Sequence, residues 1–326
     1  MRALVTGGAG FVGRHVCKYL LDAGWEVVCV DPVVERTGGL KPDAWPLYDP
    51  RDYKNFTYVD MDCREYFKKN ESFDYLFHLA AMVGGRLMIE YDPLAVAEDL
   101  AIDADFFKYA LRIKPKKAVF FSSSAAYPIA YQRRDDYVLL SEDMIDFNTQ
   151  LGMPDLSYGW AKLTGEYLAR LAHQHYGLST VCYRPFSGYG EDQDLTYPFP
   201  SICKRALEHR GAESLTVWGT GDQMRDFIHI TDCVRFVMES MDRIDNGDAL
   251  NLSTGRLSSF KEFAKIAANV VGYDPLISGT SDKPEGVFAR GGARAKQELF
   301  GLQPTITFEE GVARGVRYRE ALLSAR

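Results

Sequence analysis

Two side chains stand out for what they can do together. Tyr158 and Lys162 are four residues apart in Ser157-Tyr158-Gly159-Trp160-Ala161-Lys162. On a helix that spacing puts both on one face. A free phenol titrates near 10. An ammonium about 4 Å away, at an effective dielectric of roughly 20, favours the phenolate by roughly 4 kcal/mol, or about three pH units. A tyrosine tuned in this way can take a proton from a hydroxyl while hydride leaves the same carbon. Ser122, Ser123 and Ser124 follow an apolar run at 117–121, and Ser123 is placed to hold the reacting hydroxyl and share its proton. Taken alone, the tyrosine–lysine pair reads as a surface helix pair and the serines as loop. The elements around them decide.

Segment 1–31 supplies an acceptor for the hydride. An apolar run at 3–5 leads into Thr6 and the cluster Gly7-Gly8-Ala9-Gly10. Val12, Val16 and Leu20 then recur at helical spacing, and Gly24 is placed to end the helix. A second apolar run at 27–30 stops at Asp31. Strand, glycine-rich turn, helix, strand and acid make one βαβ unit built for a dinucleotide. Gly7 takes the backbone angles of a tight turn. Gly10 lets a pyrophosphate approach the main chain, and Gly13 lets the helix lie close to the strand. Phe11 and Val12 open that helix, where free N–H groups face the phosphates. The Asp31 carboxylate suits both ribose hydroxyls and repels a 2′-phosphate, which points to NAD; Arg36 keeps NADP open. The spacing is GxxGxxG rather than GxGxxG, a weak pattern without the surrounding order of elements.

Residues 32–52 read as an irregular loop over the adenosine end of the cofactor. A strand is expected at 56–59, then Asp60-Met61-Asp62, where an acid can accept from the adenine amine or cap a helix. A strand at 75–79 runs into Ala80, Ala81 and Val83-Gly84-Gly85, small residues that allow close approach. A helix at 92–113, a strand at 117–121, a polar stretch at 129–156, the helix from Ser157 to about 176 and a strand at 179–183 follow. The second half alternates less regularly. It reads as a helix at 200–209, a strand at 215–218, a strand at 225–229, a helix capped by Thr231 or Asp232, a strand at 249–252, and helices starting at Ser258 and Thr307. The expected fold is α/β: a Rossmann-like doubly wound parallel sheet with a smaller C-terminal α/β substrate lobe. The dinucleotide-binding domain spans 1–183, with part of 225–252 returning to it, and the substrate lobe spans 184–326.

The 326 residues leave room for one large core and a lobe. At 46% hydrophobic and 25% charged the composition is that of a soluble globular chain, and no apolar run approaches membrane-spanning length. With a strand expected from residue 2, no cleavable signal is expected, and a cytoplasmic setting follows. A net charge of −7 argues against a nucleic-acid partner, although a few local arginines can hold a small anion. The six cysteines lie scattered without CxxC spacing and the six histidines are dispersed, so buried reduced thiols and no metal site are expected.

The chain resembles the extended short-chain dehydrogenase/reductases, in their nucleotide-sugar epimerase/dehydratase branch. The matching stretches are Thr6-Gly-Gly-Ala-Gly-Phe-Val-Gly13, His78-Leu-Ala-Ala81, Ser122-Ser-Ser-Ala-Ala-Tyr-Pro128, Tyr158-Gly-Trp-Ala-Lys162, Arg184-Pro-Phe186, the 218–226 segment and Asn251-Leu-Ser-Thr-Gly255. The resemblance implies Ser123, Tyr158 and Lys162 as catalytic residues and a retained NAD. It places Asp62, Cys63, Leu79, Ala80 and Ala81 at the cofactor, beside Gly7, Gly10, Phe11, Val12, Gly13 and Asp31. It assigns the substrate, a nucleotide-diphosphate sugar linked to GDP or UDP, to Val83, Gly84, Ser124, Arg225 and Arg290. A homodimer through two long helices per subunit is also implied. The stretches at 80–85 and 123–128 are similar to GDP-fucose synthase and GDP-mannose 3,5-epimerase. Those enzymes carry a catalytic cysteine where this chain has Ala125, and 4,6-dehydratases carry an Asp-Glu pair that is absent here. Asp99 stands where relatives often have Asn. Hydride chemistry at one sugar carbinol, C4, is what remains. Three alternatives stay open: an epimerase, a net oxidoreductase (4-dehydrogenase or 4-keto reductase), and a non-catalytic dinucleotide-binding protein.

Overall fold

The computed structural model describes residues 1–34, 37–82, 86–280 and 286–325. Its centre is a seven-stranded sheet in the order Asn246–Leu252, Thr180–Pro185, Lys117–Phe121, Tyr75–His78, Arg2–Thr6, Glu26–Val30, Phe56–Val59. The five pairings from Thr180–Pro185 across to Phe56–Val59 are all parallel. Apart from the partly exposed edge strand Phe56–Val59, these strands are short, mostly apolar runs that are nearly all buried, as a sheet covered on both faces requires. The chain starts in the middle, moves out to Phe56–Val59, then returns past Arg2–Thr6 and builds the other half. The switch point therefore lies between Arg2–Thr6 and Tyr75–His78, where open α/β sheets bind ligands.

The chain clusters into two compact units. The first comprises 1–127, 145–185 and 234–250; the second comprises 128–144, 186–233 and 251–326. Residues 128–144, inside the 1–183 range of the sequence reading, cluster with the second unit. The core of the first unit joins Leu4, Val28, Leu76, Phe106, Phe120 and Cys182. That of the second is aromatic: Tyr189, Phe199, Phe227, Phe263 and Phe308, with Phe227 and Phe308 stacked at 4.6 Å. All six cysteines are free and buried.

Helix starts follow their caps. Ser259 accepts from the Glu262 N–H at 3.0 Å and Thr307 from the Glu310 N–H at 3.2 Å, opening the helices Phe260–Val271 and Phe308–Ser324. Both are Ser/Thr-x-x-Glu sequences, the pattern of a capping box.

Three expectations need correction. The helix expected at 92–113 is interrupted at Ala97 and Glu98 and runs as Pro93–Val96 and Asp99–Ile113, with a separate helix, Arg86–Tyr91, ahead of it. Pro93 sits at the first helical position after the N-cap Asp92, where its missing N–H costs nothing. The strand expected at 225–229 is only Met224–Arg225, because the next residue turns inward. The Asp226 carboxylate accepts the N–H groups of Thr254, Gly255 and Gly292 and the Thr254 hydroxyl, at 2.6 to 3.3 Å. The helix after it begins at Ile230, so neither Thr231 nor Asp232 caps it. Asp232 instead accepts from the Thr305 N–H and hydroxyl and the Ile306 N–H, tethering the chain ahead of the last helix.

Candidate active site

The first strand delivers a turn that has no room for side chains. Gly7 sits at φ +71°, a conformation that favours glycine. A Cβ there would lie 2.5 Å from the Ala80 nitrogen, and one on Gly13 would run into the Gly7 carbonyl oxygen. The two loops at the switch point are therefore in backbone contact. Gly10 precedes the helix Phe11–Asp22 as its extended N-cap residue, with no side chain over the helix N-terminus, so the first-turn N–H groups are left for a ligand. Phe11, Val12, Leu79, Ala80 and Ala81 are half-buried beside it. Leu40 donates its N–H to the Ala9 carbonyl at 3.1 Å, so the loop after the second strand folds back onto the glycine turn.

Asp31 ends the Glu26–Val30 strand. Its Oδ2 accepts from the Ala9 N–H at 3.1 Å and its Oδ1 from the Val33 N–H at 2.8 Å. Each oxygen keeps a further lone pair for a ribose hydroxyl. Burial pushes this carboxyl up, with the two N–H groups pulling it back. Asp62 caps the helix Cys63–Tyr66, accepting the Arg64 N–H at 2.8 Å, and also pairs with the Arg64 guanidinium at 2.6 Å. The cap was one of the two roles read for it. Cys63 is buried and burial pushes its thiol up to about 12, so it meets a ligand, if at all, through its backbone. Arg36, Val83 and Gly84 lie outside the described residues.

Ser123, at the end of Lys117–Phe121, caps a short turn by accepting the Ala125 N–H at 3.1 Å. The hydroxyl proton of Ser123 remains to be donated elsewhere. Ser124 is buried in the same turn. The helix Leu156–Tyr176 crosses this segment at very short range: a Cβ on Gly159 would strike the Ala125 carbonyl oxygen. That oxygen also accepts the Asp155 N–H at 3.0 Å. Tyr158, half-buried, and Lys162, buried, share a face of this helix. The Lys162 ammonium lies 5.8 Å from the centre of the Tyr158 ring and 5.3 Å from that of Phe120. Burial alone would pull this lysine down. Asp103, Tyr158 and Asp99 outweigh it and hold the ammonium above its ordinary value.

In the second unit, Arg225 and Arg290 are register partners on adjacent parallel strands, Met224–Arg225 and Ala289–Arg290. Parallel partners at the same register present their side chains to the same face of the sheet. Arg225 donates to the Met224 carbonyl at 2.8 Å and Arg290 to the Gln132 side-chain oxygen at 2.6 Å. The two arginines singled out separately in the sequence are thus brought together. A paired guanidinium site of this kind matches a diphosphate.

With this geometry established, comparison with known proteins is informative. The model of the NAD dependent epimerase/dehydratase family matches residues 3–253. This chain belongs to that family. Among relatives of the NAD-dependent epimerase/dehydratases, it is 27% identical to the uncharacterized UDP-glucose epimerase YtcB of Bacillus subtilis, over 99% of both chains. It is 26% identical to a probable GDP-L-fucose synthase 1 of Oryza sativa, over 100% of this chain and 94% of the relative. The crystal structure of the UDP-glucose 4-epimerase of Thermotoga maritima superimposes with a TM-score of 0.83 at 24% identity, covering 99% of this chain and 100% of that one, a likeness of fold. The family's cofactor is NAD, and the residues fit it. Gly7 and Gly13 line a cradle that any Cβ would fill, and Asp31 stands at the end of the second strand.

Sequence reasoning missed the polar residues behind the site. Arg184 and Glu166, each 2% exposed, form a buried pair with bonds of 2.6 and 2.9 Å. Arg184 also donates to the Tyr127 hydroxyl at 2.8 Å, and the Ser122 hydroxyl donates to Glu166. This network ties the strand end that carries Ser123 to the helix that carries Tyr158. Glu166 is four residues after Lys162, so helical spacing put it on the same face, but nothing local pointed to its partner.

Proposed function

We propose that this chain is an NAD-dependent nucleotide-sugar epimerase acting at the C4 carbinol. The observation that carries this reading is the Tyr158–Lys162 face, with a buried ammonium beneath the phenol ring, held against the turn that carries Ser123. NAD, held by the Gly7–Gly13 turn and Asp31, would supply the hydride acceptor and donor for the sugar carbinol. The rest is the work of this chain's side chains. Tyr158 Oη removes the proton of the reacting hydroxyl and later returns it. Lys162 stabilises the phenolate through its charge. Ser123 orients the same hydroxyl. Arg225 and Arg290 hold the diphosphate of the sugar nucleotide, linked to UDP or GDP, and Ser124 lies beside the reacting sugar. This chain's relatives carry epimerase and reductase names alike, among them a putative UDP-glucose 4-epimerase and a dTDP-4-dehydro-6-deoxy-D-allose reductase, and the assay below separates the two reactions.

The helices Asp99–Ile113 and Leu156–Tyr176 pack together and expose Leu100, Trp160 and Tyr167, which supports a homodimer through these helices. The six free cysteines suit a reducing, cytoplasmic setting.

The deciding experiment incubates the purified protein with UDP- and GDP-linked sugars without added NAD. Formation of the C4 isomer with no net build-up of reduced nicotinamide absorbance is expected. Stoichiometric accumulation of reduced cofactor with a keto sugar product would replace the epimerase by the oxidoreductase.

A further inference from the structure

The stretch after the serine turn forms a small hairpin, Gln132–Arg133 paired with Asp136–Tyr137. Most of it is exposed, yet Gln132 is 1% exposed. A buried amide must find partners. The Gln132 Nε2 donates to the Pro128 carbonyl at 3.1 Å, and its Oε1 accepts from Arg290 Nε at 2.6 Å. A carbonyl only accepts and a guanidinium only donates, so the orientation of the amide is fixed. The Gln132 main-chain carbonyl accepts the Phe288 N–H at 3.0 Å. The other side of Phe288 serves Arg225: the Phe288 carbonyl accepts the Met224 N–H at 2.7 Å and Arg225 Nη1 at 3.4 Å. Two more hairpin residues lie against the Phe288 ring, Tyr137 at 5.9 Å between ring centres and the Arg134 guanidinium at 4.5 Å.

We propose that Gln132 is a positioning residue for substrate binding, setting the Arg290 guanidinium with its side chain and the strand that holds Arg225 with its main chain, so that the two arginines grip one diphosphate. This rests on the reading of Arg225 and Arg290 as the diphosphate site. A guanidinium is planar, and its N–H directions are fixed relative to one another. Holding Nε therefore sets where the two Nη groups point, and a bidentate grip on a phosphate depends on that angle. An arginine left unheld would have rotamer freedom to lose on binding, a cost that the bond to Gln132 removes beforehand. The chemistry of the holder matters as much as its place. The oxygens in these bonds are amide oxygens, which orient a guanidinium without cancelling its charge. A carboxylate, such as Glu166 on Arg184, would compete with the incoming anion for the same cation.

The test is calorimetry of the intact holoenzyme with UDP and GDP, following whichever the wild type binds. Gln132→Met keeps the length of the side chain and removes its acceptor and its donor; Gln132→Leu is the second variant should the first not fold, as read by the thermal midpoint. Each is expected to weaken the nucleoside diphosphate about fivefold and to leave NAD affinity unchanged. In turnover KM should rise by the same factor with kcat held, because the grip is equal in ground and transition states. The decisive arm is a double-variant cycle. Because Gln132 acts through Arg290, adding Gln132→Met to Arg290→Ala should cost nothing more. Gln132→Glu keeps the acceptor but adds a charge, and should bind the diphosphate no better than Gln132→Met. Folded Gln132 variants with wild-type affinity, losses that add in full to that of Arg290→Ala, or a Gln132→Glu variant that binds like wild type would each overturn the proposal. If Arg290→Ala itself binds the diphosphate as wild type does, the reading of the arginine pair fails first.

Discussion

Replacing Glu166 by Ala tests how the catalytic helix is held. Glu166 and Arg184 are each 2% exposed, and the guanidinium meets both carboxylate oxygens, at 2.6 and 2.9 Å. The pair holds Arg184 well above its ordinary value despite burial. Removing the carboxylate leaves the Arg184 charge in the interior without the anion that faces it, beside the Tyr127 hydroxyl. Breaking a buried pair in this way costs about 3–5 kcal/mol. The Ser122 hydroxyl also loses its acceptor, adding about 1 kcal/mol. A total of about 4–6 kcal/mol is a large part of a typical domain's stability, so Glu166→Ala should unfold at much lower urea concentration, with an unchanged slope. The double variant Glu166→Leu, Arg184→Met removes both charges and should recover much of the loss. It should still turn over more slowly, since the Asp155–Ala125 bond is then left as the main tie between the Ser123 turn and the Tyr158 helix. A Glu166→Ala midpoint within about 1 kcal/mol of wild type, or a double variant no better than the single, would falsify this account.

Other outcomes follow from the site. Tyr158→Phe should abolish turnover and leave NAD bound, read by cofactor absorbance of the purified protein. Arg225→Ala and Arg290→Ala should each raise the Kd for the nucleotide sugar about tenfold or more by calorimetry, with little effect on NAD. Gly13→Val should prevent NAD retention, because its side chain meets the Gly7 carbonyl. Asp226 gives a pH dependence: burial pushes its carboxyl up to about 6 against an ordinary 3.8, while its hydrogen bonds pull down. Its folded form binds more protons than its unfolded form in that window, so its contribution to stability falls as pH rises from about 4 to about 6. Asp226→Asn should lose that slope when urea midpoints are compared across the window.

The parts of this fold that can be read from sequence are those whose cause is local. The glycine turn, the strand runs and the Ser259 and Thr307 caps each act on residues within a few positions. The break at Ala97 and Glu98 carries no proline or glycine to announce it. The strand expected at 225–229 falls short because Asp226 finds its donors at Thr254, Gly255 and Gly292, and no local pattern announces such distant partners. The same holds for the site. Tyr158 and Lys162 declare themselves by spacing, whereas Asp103, His78 and Thr6 meet only because three separate segments converge under the sheet's carboxyl end.

The pairing of Arg225 with Arg290 has one more implication. It depends on two strands of two residues each. Side chains alternate between faces at every step along a strand. One residue inserted or lost just before Ala289 would therefore turn Arg290 to the far side while leaving every core contact of the aromatic cluster in place. Such a change would leave a stable protein with a single guanidinium where there had been two, so the length of this connection, more than its composition, guards the chain's grip on its anion.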